Sequence, residues 1–129
     1  MFMLFKDDAY TTVPIEYVAP TASEAFHVGE ACFISANGTL TVCAGSVKPT
    51  YICVGEIPAN SALEVPTVRV HGSQVYEVPL SEGGGSLNVG NKVTISDTGL
   101  EVNADTSGGV AEIVKINGTN EGDTVLVRF

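Results

Sequence analysis

The segment Val28-Gly-Glu-Ala-Cys-Phe-Ile-Ser-Ala-Asn-Gly-Thr-Leu-Thr-Val42 is answered about 60 residues later by Val89-Gly-Asn-Lys-Val-Thr-Ile-Ser-Asp-Thr-Gly-Leu-Glu-Val102. Both begin Val-Gly, both reach Ile-Ser six residues on, and both turn through a glycine into Leu-x-Val. The likeness continues in order: Val54-Gly-Glu-Ile57 returns as Val110-Ala-Glu-Ile113, and Val68-Arg-Val70 as Val127-Arg-Phe129. Three matched blocks in one order constrain the chain to two copies of one small unit. Packed together with a pseudo-twofold relation, they make a small barrel or sandwich, and closure removes the sheet edges that invite aggregation.

Each unit reads as strands. Val93 and Ile95 alternate with Lys92, Thr94 and Ser96, the period-2 pattern of a half-buried strand. Asp97-Thr98-Gly99 turns the chain, and Leu100 and Val102 then alternate with Glu101 and Asn103, completing a hairpin. Asn37-Gly38 gives the same signal in the first unit, since both residues tolerate positive φ. Val54 to Ile57 and Val110 to Ile113 suit a third strand, and Val68 to Val70 and Val125 to Phe129 a closing one. No helical periodicity exceeds about two turns. The expected fold class is all-β, with at most single turns near Thr21 to Ala25 and Pro58 to Leu63.

The expected domain plan has three parts. Residues 28–129 form the two-unit domain, with units at about 28–70 and 89–129 and a connector at 71–88. The run Gly83-Gly84-Gly85-Ser86 reads as an exposed loop tip, with no lysine or helix after it to make a phosphate cradle. Residues 1–27 read as an extended arm, broken by Pro14 and Pro20. Phe2, Leu4, Phe5, Val13, Ile15, Tyr17 and Val18 are too many apolar residues for a solvated tail, so the arm packs on its own domain or on another molecule. Removing residues 1–18 is then expected to leave a folded domain.

Charge excludes several functions. Fifteen acidic residues stand against six basic ones, a net charge of −9. The six basic residues are far apart in sequence, which argues against nucleic-acid binding, and the sign argues against an anionic membrane surface. The apolar start, Met1 to Phe5, is too short for a signal-peptide core, so the chain is expected to fold in the cytoplasm where it is made. Cys32, Cys43 and Cys53 form no C-x-x-C pair and read as buried reduced thiols rather than a zinc site.

No catalytic constellation or cofactor site emerges from the motifs. Asp97-Thr98-Gly99 is the tripeptide that aspartic proteases use in pairs, but its counterpart in the first unit is the Asn37-Gly38 turn. A hairpin tip accounts for both. His27 lies near Cys32 in sequence without an orienting third group for a Cys-His pair. The acids, Asp7-Asp8 included, lack the spacing of a calcium loop, so no metal is expected. Phe33 aligns with Thr94, which the alternation points outward, so it marks an interface unless its strand is buried on both faces.

The pattern Gly-x-x-x-x-Ile-Ser-x-x-Gly-x-Leu, then Val-Gly-Glu-Ile and Val-Arg-Val, then a second round ending Gly122-Asp-Thr-Val-Leu-Val-Arg-Phe129, resembles the small capsid decoration proteins of tailed bacteriophages. The resemblance covers residues 28–129, and the arm in character only. It implies a protein without enzymatic activity that binds the outer capsid surface of the virion, often as a homotrimer. Its partner would be the major capsid protein, and its role to bridge neighbouring capsid subunits. The apolar arm would add a strand to a capsid subunit. Three cysteines and the Gly83 to Ser86 run depart from the family's pattern. The alternative is a small β-module of a phage tail or fibre, structural or binding host glycan.

Overall fold

The computed structural model describes residues 1–10 and 12–129. The protein is all-β, and among the described residues there is no helix. Its strands are β1 (Met3–Asp7), β2 (Ile15–Val18), β3 (Ala31–Ile34), β4 (Leu40–Val42), β5 (Tyr51–Cys53), β6 (Val65–Arg69), β7 (Gln74–Pro79), β8 (Lys92–Val93), β9 (Ala111–Ile116) and β10 (Thr124–Arg128). They form two five-stranded antiparallel sheets, packed together in a sandwich-like arrangement. One runs β2-β6-β5-β3-β4 and the other β1-β7-β10-β9-β8.

The two sheets follow one path. In the first, β2 pairs with β6, β6 with β5, β5 with β3 and β3 with β4. In the second, β7 pairs with β10, β10 with β9 and β9 with β8, and Ile95 just beyond β8 bridges Val102. The chain leaving β2 bridges β4 in parallel at Pro20 and Leu40, and the chain leaving β7 does the same at Leu80 and Val102. Each sheet therefore curls until its first strand's continuation meets the opposite side.

This register moves the boundaries expected from sequence. Glu16 opposes Thr67 as Tyr76 opposes Val127, so Ile15–Val18 is the counterpart of Val75–Val78. The first unit accordingly begins inside the expected arm, and the second inside the expected connector, which contains β7. The third strand also moves. Tyr51–Cys53, not Val54 to Ile57, corresponds to Ala111–Ile113: Ile52 opposes Ala31 and Glu112 opposes Lys92 at equivalent places. Identical letters misled here, because Val54 is exposed and Ile57 makes only an isolated bridge to Phe26. In the closing strand Val127 matches Thr67, one residue from the Val68 that similarity selects. A one-residue slip exchanges sheet faces.

Burial follows the two units. One cluster gathers Phe26, Cys32, Leu40, Tyr51, Cys53 and Val65 in the first. The larger cluster fills the second with Tyr76, Val78, Ile95, Val102, Ile113 and Val125, and reaches into the first through Ala31, Cys43 and Ile52. Gly99 (φ +70°) sits where the units meet. Its carbonyl accepts the Ala31 N–H at 2.8 Å, and a Cβ there would lie 2.5 Å from a Val42 methyl. The expected loop tip is partly interior too: Gly84 is buried, and a Cβ would come within 2.8 Å of Leu87 and 3.0 Å of Leu80. Thr21 to Glu24 and Pro58 to Ser61 each close a single hydrogen-bonded turn.

Candidate functional site: an apolar face on the first two strands

Large apolar side chains that the fold leaves exposed concentrate at the beginning of the chain. Met1, Met3, Leu4, Phe5, Tyr10, Ile15 and Tyr17 are all exposed. Met3, Leu4 and Phe5 are consecutive, so both faces of β1 carry exposed apolar surface. Phe5 is 57 % exposed, Ile15 55 % and Tyr17 66 %. An apolar cleft of about 310 Å³ opens beside Met3 and Leu4, with Val28, Val54 and Val68 on its other side, and Val68 stands opposite Ile15. Soluble proteins rarely leave contiguous apolar surface uncovered without a binding role.

The expected arm residues divide by location. Phe2 is 2 % exposed and belongs to the core, its ring 6.5 Å from Tyr76 and 5.6 Å from Phe129. Val13 and Val18 are half-buried, and Val18 packs on the smaller core cluster. Leu4, Phe5, Ile15 and Tyr17 face solvent. The arm is thus no free tail: β1 pairs with β7 and β2 with β6, in different sheets. Removing residues 1–18 would take away a core aromatic and the first strand of the first unit. Phe33 is half-buried against the larger core cluster, and the preceding Cys32 is buried in the other. β3 is thus covered on both faces at Cys32 and Phe33, while Ile34 at its end is exposed. Thr94, expected outward, is buried.

A second cleft, of about 480 Å³, brings Glu24, His27, Glu30 and Asp97 together with Thr41, Thr98 and the apolar Val42 and Leu100. Most of its polar groups are held by hydrogen bonds. Glu24 accepts bonds from the Thr41 hydroxyl and, at 3.1 Å, the Val42 N–H. Glu30 accepts the His27 N–H at 2.9 Å, and burial pushes its carboxyl above the ordinary range. His27 Nδ1 lies 2.7 Å from Glu56, a contact that raises the imidazole's pKa. Glu56 also accepts the Val28 N–H, which lowers its own. Among the described residues, no group of three His, Cys, Asp or Glu side chains is arranged to hold a metal ion. Asp97 is exposed at its turn.

The cysteines are free and buried, and their environments oppose nucleophilic chemistry. Burial pushes Cys43 up to about 12 and Cys53 up to about 11, and drives Cys32 higher still. A thiolate is the reactive form, and these sites disfavour it.

Folding gathers charges that sequence spacing scattered. Lys48, Lys92 and Arg128 line one cleft beside Phe129, and Lys48 and Arg69 an adjoining one. Arg69 is held by Glu16 through two bonds of 2.8 and 2.9 Å, and Arg128 by Asp8 at 3.1 Å. Glu112 faces the same space. The local balance is close to neutral, far from a phosphate-binding surface. No helix among the described residues is long and apolar enough to cross a membrane.

No protein-family model matches the chain, and comparisons with curated proteins and with solved structures give no match either.

Proposed function

We propose that this protein is a bacteriophage capsid decoration protein. Copies bind the outside of the assembled head through the apolar face of β1 and β2 and bridge neighbouring subunits of the major capsid protein. The observation that carries this is the exposure of Met3, Leu4, Phe5, Ile15 and Tyr17 to solvent, with an apolar cleft beside Met3 and Leu4. Burying such a face on a partner is favourable at roughly 25 cal/mol per Å² of apolar surface. The resemblance in glycine placement and strand alternation supplies the kind of partner. A net charge of −9 suits an outer surface, away from packaged DNA and repelling other particles. The homotrimer that the resemblance implies belongs to the same proposal.

The test is binding to purified heads by wild-type protein and by a Phe5→Lys/Tyr17→Lys double variant. Both positions are exposed, so the variant is expected to fold. Saturable wild-type binding that the double variant loses supports the reading. Wild-type protein that fails to bind heads but joins tail or fibre fractions would replace it with the tail-module alternative.

A further inference from the structure

The first unit has a place for a strand that only the second unit fills. In β6 the Pro66 carbonyl accepts the Val54 N–H, and the Val70 N–H just beyond the strand donates to Thr50, both toward β5. Even-numbered residues of β6 thus turn their backbone groups to β5, and odd-numbered ones to β2. Val65 and Thr67 stand opposite Val18 and Glu16. That leaves the backbone N–H and C=O of Ile15 and Tyr17 aimed away from the sheet.

The second unit repeats this with the place occupied. The Leu80 N–H reaches across to Asp123 at the β10 side, while the Ser73 carbonyl accepts the Asp8 N–H at the β1 side. Val75 and Glu77, the counterparts of Ile15 and Tyr17, therefore face β1, where Lys6 and Met3 oppose them. The far end of the slot matches as well. The Ala19 carbonyl accepts the Leu40 N–H just as the Pro79 carbonyl accepts the Val102 N–H. Beside Ile15 and Tyr17 no strand stands among the described residues.

We propose that the Ile15–Tyr17 edge is an acceptor slot for an extended segment of the capsid subunit, entering antiparallel to β2 as β1 lies antiparallel to β7. The partner assignment rests on the decoration reading; the slot itself rests on the repeat. The chain's own β1 shows the chemistry that fits: apolar residues (Met3, Leu4, Phe5) with one cation and one anion, Lys6 and Asp7, and no net charge. At a net charge of −9, a neutral or basic strand is favoured over a second copy of this chain. Glu16 is already neutralised by Arg69, so an incoming strand buries no lone charge. Ile15-Glu16-Tyr17-Val18 also lacks the lysine, proline or bulge with which exposed edges are usually protected.

A synthetic peptide with the sequence of residues 1–8 is the probe, titrated into the isotope-labelled full chain and followed by amide NMR. The expected result is shifted, exchange-protected amides at Ile15 and Tyr17 with Val75 and Glu77 unchanged. Tyr17→Pro removes the outward N–H without touching a bond to β6, as edge strands tolerate. It should weaken the peptide by about tenfold and weaken head binding with it, and by more than Tyr17→Thr, which loses the same ring but keeps the N–H. No shifts at millimolar peptide, or shifts confined to β7, would overturn the slot. Concentration-dependent shifts at Ile15 and Tyr17 without peptide would assign it to a second copy instead. Tyr17→Pro that binds heads like wild type would remove the capsid segment as occupant. Wild-type protein that ignores heads but takes the peptide would defeat the decoration reading and leave the slot standing.

Discussion

Phe2 is the anchor of β1, and Phe2→Ala tests what that strand contributes. The ring is 2 % exposed and stacked against Tyr76 and Phe129, in contact with the larger core cluster. Truncating a buried phenylalanine costs about 3–5 kcal/mol when the surroundings cannot relax. Here they can, because the other four residues from Met3 to Lys6 are exposed and the strand is held by one neighbour, β7. Once the anchor is gone, β1 can detach, so the loss is capped at its docking free energy. The expected outcome in urea denaturation is a loss of about 2–3 kcal/mol, below the fully buried figure. A chain lacking residues 1–10 should lose the same amount. Hydrogen exchange should show the amides of Val75 and Glu77, which face β1, opening in both proteins while β9 and β10 stay protected. A variant within about 0.5 kcal/mol of wild type, a range typical of surface substitutions, would refute the reasoning. So would a loss well beyond that of the truncation.

Three further outcomes follow from the packing. The three buried thiols should be inert to a thiol reagent in the native protein at pH 8 and react fully after unfolding, as spectrophotometric titration will show. Glu30→Gln should match or exceed wild type in thermal stability at neutral pH, because the folded state raises this carboxyl's pKa by burying it. The folded state then binds the proton more tightly, so this group's effect on stability worsens as pH rises from the unfolded value of 4.5 through the raised folded one. Melting curves should show the variant's advantage shrinking on acidification and gone once Glu30 is protonated in both states. Gly109→Ala places a Cβ 2.0 Å from the Lys92 carbonyl oxygen, across the β8–β9 pair, and should cost about 3 kcal/mol or more. Gly85→Ala, with open space around it, should lie within about 0.5 kcal/mol of wild type by the same denaturation assay.

The all-β class was legible because alternation is a local signal. Val93 and Ile95 point the same way whatever surrounds them, and Gly38 and Gly99 adopt positive φ at the turns that their neighbours announce. The unit boundaries were not legible. Ile15-Glu16-Tyr17-Val18 and Val75-Tyr76-Glu77-Val78 are structural counterparts, but their polar and aromatic residues exchange places, so letter matching passes over them. It settled instead on Val54 to Ile57, an identity without a strand. A search for alternation at a fixed spacing, rather than for identity, would have found the earlier start.

Much of the apolar face was visible as an excess of Phe, Leu, Ile and Tyr near the beginning of the chain. What sequence could not separate was Phe2 from Phe5. They are the same residue type, three positions apart, one in the core and one 57 % exposed. That difference depends on β1 lying along β7, a pairing more than 60 residues away in sequence. The convergence of Lys48, Arg69, Lys92 and Arg128 around Phe129 was hidden for the same reason.

The most direct test of the decoration reading is co-sedimentation of the purified protein with heads of the corresponding phage, with bound copies counted per particle. Decoration requires saturable binding at hundreds of copies, because bridging sites repeat over the whole shell. Binding at tens of copies or fewer, or none, would contradict it and point to a tail or fibre location.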